Sequence, residues 1–222
     1  MPANQIFQGI AMFAVLLFSL SFHEFGHAWT ASRRGDPTPG QLGRVTLNPM
    51  AHADLIGTII FPLLQIFSGV PLIGWAKPVP FVPANLRNPR SDIVLVASAG
   101  PMFNLILALA AAVLWRVNAL LLGGVDGGML ATVHDFLRFV LPLLLQINVL
   151  LALFNLIPMP PLDGSYLVES LLPRHLAARY RSFGAHWGFV VVLVLVYTGV
   201  AWRLIRFGEA LVGPVLAAIA GI

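Results

Sequence analysis

Two histidines and a glutamate stand at H-E-x-x-H spacing inside an apolar stretch of the chain. They are His23, Glu24 and His27, within the segment SFHEFGHAWTA at positions 21–31. On a helix, residues four apart lie on one face, so His23 and His27 would point the same way and grip one metal ion. Glu24 would lie beside that metal without having to bind it. The spacing therefore predicts a zinc site of hydrolytic type, in which Glu24 takes a proton from water.

A catalytic zinc needs a third protein ligand and an open position. The chain has no cysteine, so the third ligand must be His, Asp or Glu. Asp163 is the favoured candidate because it follows a long apolar segment through a rigid, proline-rich approach; an ordinary turn aspartate before Gly164 is the alternative. His52 and Asp54 compete for the role, although a helix N-cap is the favoured interpretation of Asp54.

The composition places this chemistry in a membrane. Of the 222 residues, 58% are hydrophobic and 10% are charged, whereas soluble domains carry about 25% charged residues. Ionisable groups inside a membrane segment are costly and usually functional, which favours a metal site over satisfied core residues. The net charge of +4 is interpreted as basic membrane flanks beside the lipid bilayer, and nucleic acid is not expected as a partner.

The elements that must position the site are apolar segments. Four stretches are long enough to span, at 6–31, 93–115, 136–157 and 183–205. A fifth, at 55–73, is broken by glycine and proline and is either a kinked span or a re-entrant piece; the tail after Gly208 lies at the interface or packs on the bundle. The sequence predicts an all-α polytopic membrane protein, a bundle of about five to six transmembrane segments. We expect a short extended or re-entrant loop near the active site and one domain over residues 1–222.

Three motifs in this order resemble the site-2 protease family of intramembrane zinc metalloproteases. They are HEFGH, GPMFN at Gly100 to Asn104, and NLIPMPPLDG at Asn155 to Gly164. The resemblance covers most of the chain. The chain resembles a minimal form of the family, without its frequent PDZ or CBS domains and without the helix that often precedes the H-E-x-x-H helix.

The resemblance implies a role for each matching residue. His23, His27 and Asp163 would hold one zinc ion per chain, and Glu24 would be the catalytic base. Asn104 would help to bind the substrate backbone or the oxyanion, which a side-chain amide can stabilise.

The alternative for Asn104 is a purely structural hydrogen bond between helices. For Asn148 we expect only a structural hydrogen bond of this kind. Asn155 and Pro158 are expected to shape the chain that leads to Asp163.

The orientation of the protein in the membrane follows from the requirement that the three ligands converge. The loops after position 31, before position 93 and after position 157 must share one membrane face, and they hold most of the basic residues, whereas the loop at 118–133 has none. The positive-inside rule then predicts a multi-pass protein of the cell membrane with its active site toward the cytoplasm. Arg116 and Arg138 count slightly against this prediction because both flank the opposite loop, and so do Arg203 and Arg206 if 183–205 is one span. The expected substrate is a membrane protein or transmembrane peptide, accepted locally unwound. The extended segment GWAKPVPFV either pairs with the unwound substrate or is an interfacial loop anchored by Trp75 and Lys77.

Three other functions stay open from the residues alone. One is another H-E-x-x-H membrane metalloprotease whose third ligand is a glutamate, for which only Glu169 and Glu209 remain. A second is a metal transporter, although its polar residues would be spread through several helices. The third is a catalytically inactive homologue that binds membrane proteins.

Overall fold

The computed structural model of the chain describes residues 3–68 and 75–221, and within these ranges the secondary structure is helical, with no strand. The α-helices are α1 (Ala3–Arg33), α2 (Thr38–Gln41), α3 (Pro49–His52), α4 (Phe61–Ser68), α5 (Pro89–Leu122), α6 (Gly128–Asn155), α7 (Gly164–Leu171), α8 (Arg174–Tyr197) and α9 (Val200–Ala220). A π-helix covers Leu55–Ile60 and a short 3-10 helix covers Pro83–Asn85. The prediction of an all-α polytopic membrane protein is confirmed.

Four of these helices are long and apolar enough to cross a membrane: α1, α5, α6 and α8. By the same criteria of length and composition, the described residues supply fewer spans than the five to six predicted. The 34 residues of α5 extend roughly 51 Å, which exceeds a hydrocarbon core of about 30 Å. This helix therefore extends beyond the core or tilts within it.

Helices α1, α5 and α6 form the bundle that carries the site. The α1–α5 seam is tight, because a Cβ at Gly26 would lie 2.9 Å from both the Ala99 carbonyl oxygen and the Phe103 ring. Small residues let helix backbones approach closely in membranes, where lipid removes most of the hydrophobic drive to associate. The H-E-x-x-H turn of α1 lies on this seam.

The predicted span at 183–205 is wrong as a single helix. Helix α8 begins earlier, at Arg174, and ends at Tyr197, where Gly199 takes a left-handed conformation (φ 79°) that favours glycine. Gly184 and Gly188 pack against Pro160, and Val192 packs with Ile157 and Leu162. Helix α8 thus follows the turn at 157–162, and the chain changes direction at Gly199.

Helix α9 then runs back along α6. Its start packs at the end of α6, where Ala201 joins Ile157, and Gly208 faces Leu153. Its last turns meet the middle of α5 and α6, where Leu216 and Ala220 pack with Ala108, Ala112 and Val149. The tail after Gly208 therefore packs on the bundle, one of the two predicted positions.

The broken apolar stretch at 55–73 begins as a short helical piece. The π-helix and α4 together cover 14 residues, Leu55 to Ser68, about 21 Å long and too short to span. Trp75 then lies back at the start, because its N–H donates to the Gly57 carbonyl at 3.2 Å and its ring fills the space beside Gly57. The described part of the stretch is therefore too short to be a span, and the return of Trp75 to Gly57 is what a re-entrant piece requires. Residues 69–74 lie outside the described ranges.

Candidate metal centre

Three side chains converge where α1 meets the turn after α6. His23 Nε2 lies 3.1 Å from His27 Nε2, and Asp163 Oδ2 lies 3.1 Å from the first and 3.3 Å from the second. His23 and His27 are buried and Asp163 is nearly so. Within the described residues, these three form the one group of His, Asp and Glu side chains spaced to share a metal ion.

Backbone geometry places each of the three groups. His23 and His27 stand one turn apart on one face of α1, and that face lies against Gly100 of α5. Asp163 ends the proline-rich turn, which is closed by hydrogen bonds from Met159 N–H to the Ile157 carbonyl and from Leu162 N–H to the Met159 carbonyl. Gly164 follows because a Cβ there would lie 2.3 Å from the Leu156 carbonyl oxygen. The turn can therefore fold tightly enough to aim Asp163 back at α1.

Hydrogen bonds on the far side of each ring decide which nitrogen faces the centre. His27 Nδ1 lies 2.7 Å from the Val96 carbonyl oxygen, and His23 Nδ1 lies 2.6 Å from Asn104 Oδ1. Both oxygens only accept, so Nδ1 carries the proton in each neutral ring. Both Nε2 atoms then present lone pairs toward Asp163.

This donor set fits a divalent metal. Asp163 Oδ2 is buried and receives no hydrogen bond from the described residues, while the two Nε2 lone pairs face it. Three such acceptors repel one another unless a proton or a metal cation lies between them. Bonds of about 2.0–2.2 Å in a tetrahedral zinc site place ligand atoms roughly 3.3–3.6 Å apart, close to the observed spacing.

Gly100 allows the two rings to lie against α5. A Cβ at this position would lie 2.4 Å from His27 Nε2 and 2.6 Å from His23 Nε2. No real side chain tolerates such distances, so only glycine fits beside the ligands. The first residue of the GPMFN motif therefore makes room for both imidazoles, a role that was not predicted from the sequence.

Glu24 is held by the extended segment at 75–82. The Val79 N–H donates to Glu24 Oε2 at 3.0 Å, and the carboxylate is buried. This segment is neither helix nor strand, as predicted for GWAKPVPFV. It therefore orients the carboxylate that the sequence identifies as the base.

A cavity of about 580 Å³ surrounds these groups. Its polar lining includes His23, Glu24, His27 and Asp163, and the other walls come mainly from apolar side chains of the 75–81 segment, the end of α6 and α8. Asn155 and Tyr166 also line it. Burial raises the pKa of Tyr166, and the nearby carboxylates of Asp163 and Glu169 add to the effect, so the phenol stays neutral. The centre thus pairs a few polar groups with a largely apolar pocket large enough for a piece of chain.

Asn104 lies behind His23. It is fully buried, with Oδ1 on His23 Nδ1 and Nδ2 on Asn148 Oδ1 at 2.7 Å. Both ends of its amide therefore have protein partners. The predicted role of Asn104 in binding substrate or oxyanion stays a prediction.

The two competing ligands have other partners. Asp54 Oδ1 accepts from the N–H groups of Ile56 and Gly57 and so caps the π-helix, the interpretation favoured from the sequence. His52 is buried with Nε2 on the Thr46 carbonyl. Neither belongs to the group of convergent ligands.

Sequence reasoning missed several groups that hold the site. These are Ser19, the Val96 carbonyl on His27 and the Val79 N–H on Glu24. The hydrogen bond between helices predicted for Asn148 is confirmed, because Asn148 bonds to Ser19 and Asn104. Main-chain groups carry no signature of their own in a sequence. Ser19 did carry a signal, because it lies four residues before His23 and therefore on the same face of α1.

Comparison with known proteins adds a family match and several relatives. The model described as "Peptidase family M50" matches residues 121–195, which include Asp163 but not the H-E-x-x-H segment. A protein of Bacillus subtilis (strain 168) named "Putative zinc metalloprotease YwhC" is 36% identical over 208 residues, which is 92% of this chain and 90% of that protein.

A second relative is "Putative zinc metalloprotease Rip2" of Mycolicibacterium smegmatis (strain ATCC 700084 / mc(2)155). It is 32% identical over 202 residues, covering 89% of this chain and 70% of that protein. A protein of the same name from Mycobacterium tuberculosis (strain ATCC 25618 / H37Rv) is 35% identical over 163 residues, covering 72% of this chain and 56% of that protein. No solved structure gives a significant match.

Proposed function

Because this chain belongs to peptidase family M50, it is a zinc metalloprotease of the membrane, and we propose that His23, His27 and Asp163 hold its zinc. The observation that carries this proposal is the convergence of two Nε2 lone pairs and one bare carboxylate oxygen within 3.3 Å. One zinc per chain would use all three. The proposed unit is a single transmembrane metalloprotease domain over residues 1–222.

Glu24 is the proposed base of the reaction. Zinc, when bound, supplies a Lewis acid that lowers the pKa of water and polarises the peptide carbonyl. Glu24 accepts the proton from the attacking water and returns it to the leaving amine, which completes hydrolysis. The Val79 N–H holds one carboxylate oxygen, which leaves Oε1 as the proposed proton acceptor.

Glu24→Gln tests this role. The variant should keep its zinc while turnover falls by about 10²–10⁴-fold, the range typical of a removed general base. The measurements are zinc content by metal analysis and cleavage of a transmembrane peptide in reconstituted vesicles. Activity within threefold of wild type would refute Glu24 as the base.

Family membership implies a membrane-protein substrate in general, and we propose that it is a transmembrane segment bound locally unwound. The wall formed by 75–81 supports this, because it is extended chain beside Glu24 and the ligands. Trp75, Lys77 and Val79 donate their N–H groups to the protein itself. Ala76 N–H has no partner among the described residues, which leaves it for a substrate carbonyl.

Ala76→Pro removes that N–H and leaves the bond to Glu24 untouched. We expect cleavage to fall at least tenfold with zinc content unchanged. Ala76→Val is the matched control, because it adds a side chain of about the bulk of proline and keeps the N–H. Equal activity in the proline and valine variants would remove the pairing proposal and leave the metal centre standing.

We also propose that the active site faces the cytoplasm of the cell membrane. Arg203 and Arg206 lie in the first turns of α9, whose start packs at the active-site end of α6. These two residues therefore no longer count against the positive-inside rule. The loop between α5 and α6, at the other end, carries no Lys or Arg.

The absence of cysteine makes this orientation directly measurable. Gly40 and Gly124 lie on the two ends of the bundle, and a Cβ at either would meet nothing within 4 Å. On intact cells, a membrane-impermeant maleimide should label Gly124→Cys and spare Gly40→Cys until the cells are opened. The reverse pattern would place the active site on the outer face.

A further inference from the structure

Behind His23 lies a chain of polar side chains that joins three helices. It runs from Ser19 on α1 through Asn148 on α6 to Asn104 on α5 and ends on His23 Nδ1. Ser19, Asn148 and Asn104 are each fully buried. None of the three lines the cavity, so their polar atoms serve the interior and not a substrate.

The direction of each hydrogen bond in this chain is fixed by carbonyl groups that can only accept. The Leu144 carbonyl lies 2.7 Å from one end of the Asn148 amide, so that end must be Nδ2. The Ser19 carbonyl lies 3.3 Å from one end of the Asn104 amide, so that end is also Nδ2. Turning either amide over would set oxygen against oxygen.

These two assignments fix the donor and acceptor of every later hydrogen bond up to His23. Asn148 Nδ2 donates to Ser19 Oγ at 2.8 Å, and its Oδ1 accepts from Asn104 Nδ2 at 2.7 Å. Asn104 Oδ1 is left to face His23, where it can only accept. The proton of a neutral His23 ring must therefore sit on Nδ1, which leaves Nε2 as the metal-binding atom.

We infer that Ser19, Asn148 and Asn104 are positioning residues that select the tautomer and ring angle of His23 for metal binding. This inference rests on the proposed zinc centre. In this inference Asn104 holds His23 on the side of the ring away from the metal, and Asn148 and Ser19 hold Asn104 in place. Partners that orient a ligating histidine in this way typically change metal affinity or activity by 10–100-fold.

His27 shows why only one ligand needs this chain. Its Nδ1 is held by the Val96 carbonyl, a main-chain group fixed by the α5 helix. His23 has a side-chain amide in the same place, and a side-chain amide can rotate. Asn148 and the Ser19 carbonyl remove that freedom from Asn104.

The test is zinc affinity, measured by competition with a chelator on the full-length chain in detergent micelles. Asn104→Leu should weaken zinc binding by about 10–100-fold and Asn148→Leu by a smaller factor. The double variant should lose little more than Asn104→Leu alone, because Asn148 acts through Asn104. Ser19→Ala is a mild third variant that should show the smallest loss.

Asn118→Leu is the matched control. Asn118 is also a buried asparagine on α5, and it bonds to His134 on α6 through both its amide atoms. It lies 14 residues from Asn104, roughly 21 Å along the helix. It should lose stability without any change in zinc affinity.

Cobalt substitution gives a readout that a merely structural role would not move. The visible absorption of bound Co²⁺ should shift in Asn104→Leu and Asn148→Leu and stay unchanged in Asn118→Leu. Wild-type affinity and spectra in folded Asn104→Leu and Asn148→Leu would overturn the inference and leave the metal centre intact. Failure of the wild type to bind zinc would overturn both the inference and the proposed zinc centre. If the leucine variants do not fold, Ser19→Ala is the test, and unchanged Co²⁺ absorption in that variant would contradict the positioning role.

Discussion

Two asparagine–histidine pairs bridge helices at opposite ends of this bundle, and only one belongs to the proposed metal centre. At one end Asn104 bonds His23 at 2.6 Å; at the other Asn118 bonds His134 at 3.2 Å. Both asparagines are buried on α5. The residue types are the same, and the surroundings decide the difference.

The metal end has three features that the far end lacks among the described residues. A second histidine lies one turn away, a carboxylate returns on a rigid turn, and a glycine removes the Cβ that would block both rings. His134 has no such partners within metal-ligand reach. We therefore propose that convergence with other donors distinguishes a metal-binding histidine, and that a polar bond between helices is not by itself a functional signal.

The largest loss of zinc affinity and activity is expected from Gly100→Ala. The added methyl group would overlap both imidazole rings, and a ligand shift of about 1 Å is enough to cost 100-fold in activity. Zinc affinity and peptide cleavage should both fall, by about 100-fold for cleavage.

Gly213→Ala on α9 is the control for that change. A Cβ at Gly213 meets nothing within 4 Å, so the variant should be fully active and more stable by about 0.5–1 kcal/mol. Normal zinc affinity in Gly100→Ala would mean that the rings do not pack on α5 as described.

Val79→Pro tests the proposed base, Glu24, and leaves the three proposed ligands in place. Proline removes the N–H that holds Glu24 Oε2, and the variant should lose about 10- to 100-fold in turnover with zinc retained. Val79→Ala keeps the N–H and should stay near wild type. If both variants behaved alike, the hydrogen bond would have no part in orienting Glu24.

The smallest effect on chemistry is expected at Asp36, a third buried polar cluster that lies after the end of α1. Burial acts to raise the pKa of Asp36, but hydrogen bonds from Asn85, Thr38 and Val82 outweigh it and lower the pKa. Asp36→Ala leaves those donors unsatisfied and should reduce the free energy of unfolding by about 2–4 kcal/mol. Zinc affinity of the folded variant should be normal.

The same cluster predicts a pH dependence with a definite sign. Because the folded pKa of Asp36 lies below its unfolded value of about 3.9, its contribution is present above that value and is lost as pH falls through the folded pKa. The stability difference between wild type and Asp36→Ala should therefore shrink below about pH 4. A constant difference down to pH 2 in detergent-based unfolding would contradict this assignment.

Much of the site could be predicted because its signals are local or repeated in order along the chain. H-E-x-x-H defines one helix face, and the apolar lengths define α1, α5 and α6. The break at Gly199 was missed, because the apolar run continues through it and a left-handed glycine is not distinguishable from a helical one by composition. The Val79 N–H and the Val96 carbonyl were invisible for a different reason, since main-chain partners depend on how distant segments pack.

The first measurement is zinc per purified chain in wild type, His23→Ala, Asp163→Ala and His134→Ala. We expect about one zinc in the wild type and in His134→Ala, and a loss of zinc in the other two variants. Zinc retained in Asp163→Ala would contradict the three-ligand centre, and zinc lost in His134→Ala would contradict the difference between the two ends of the bundle.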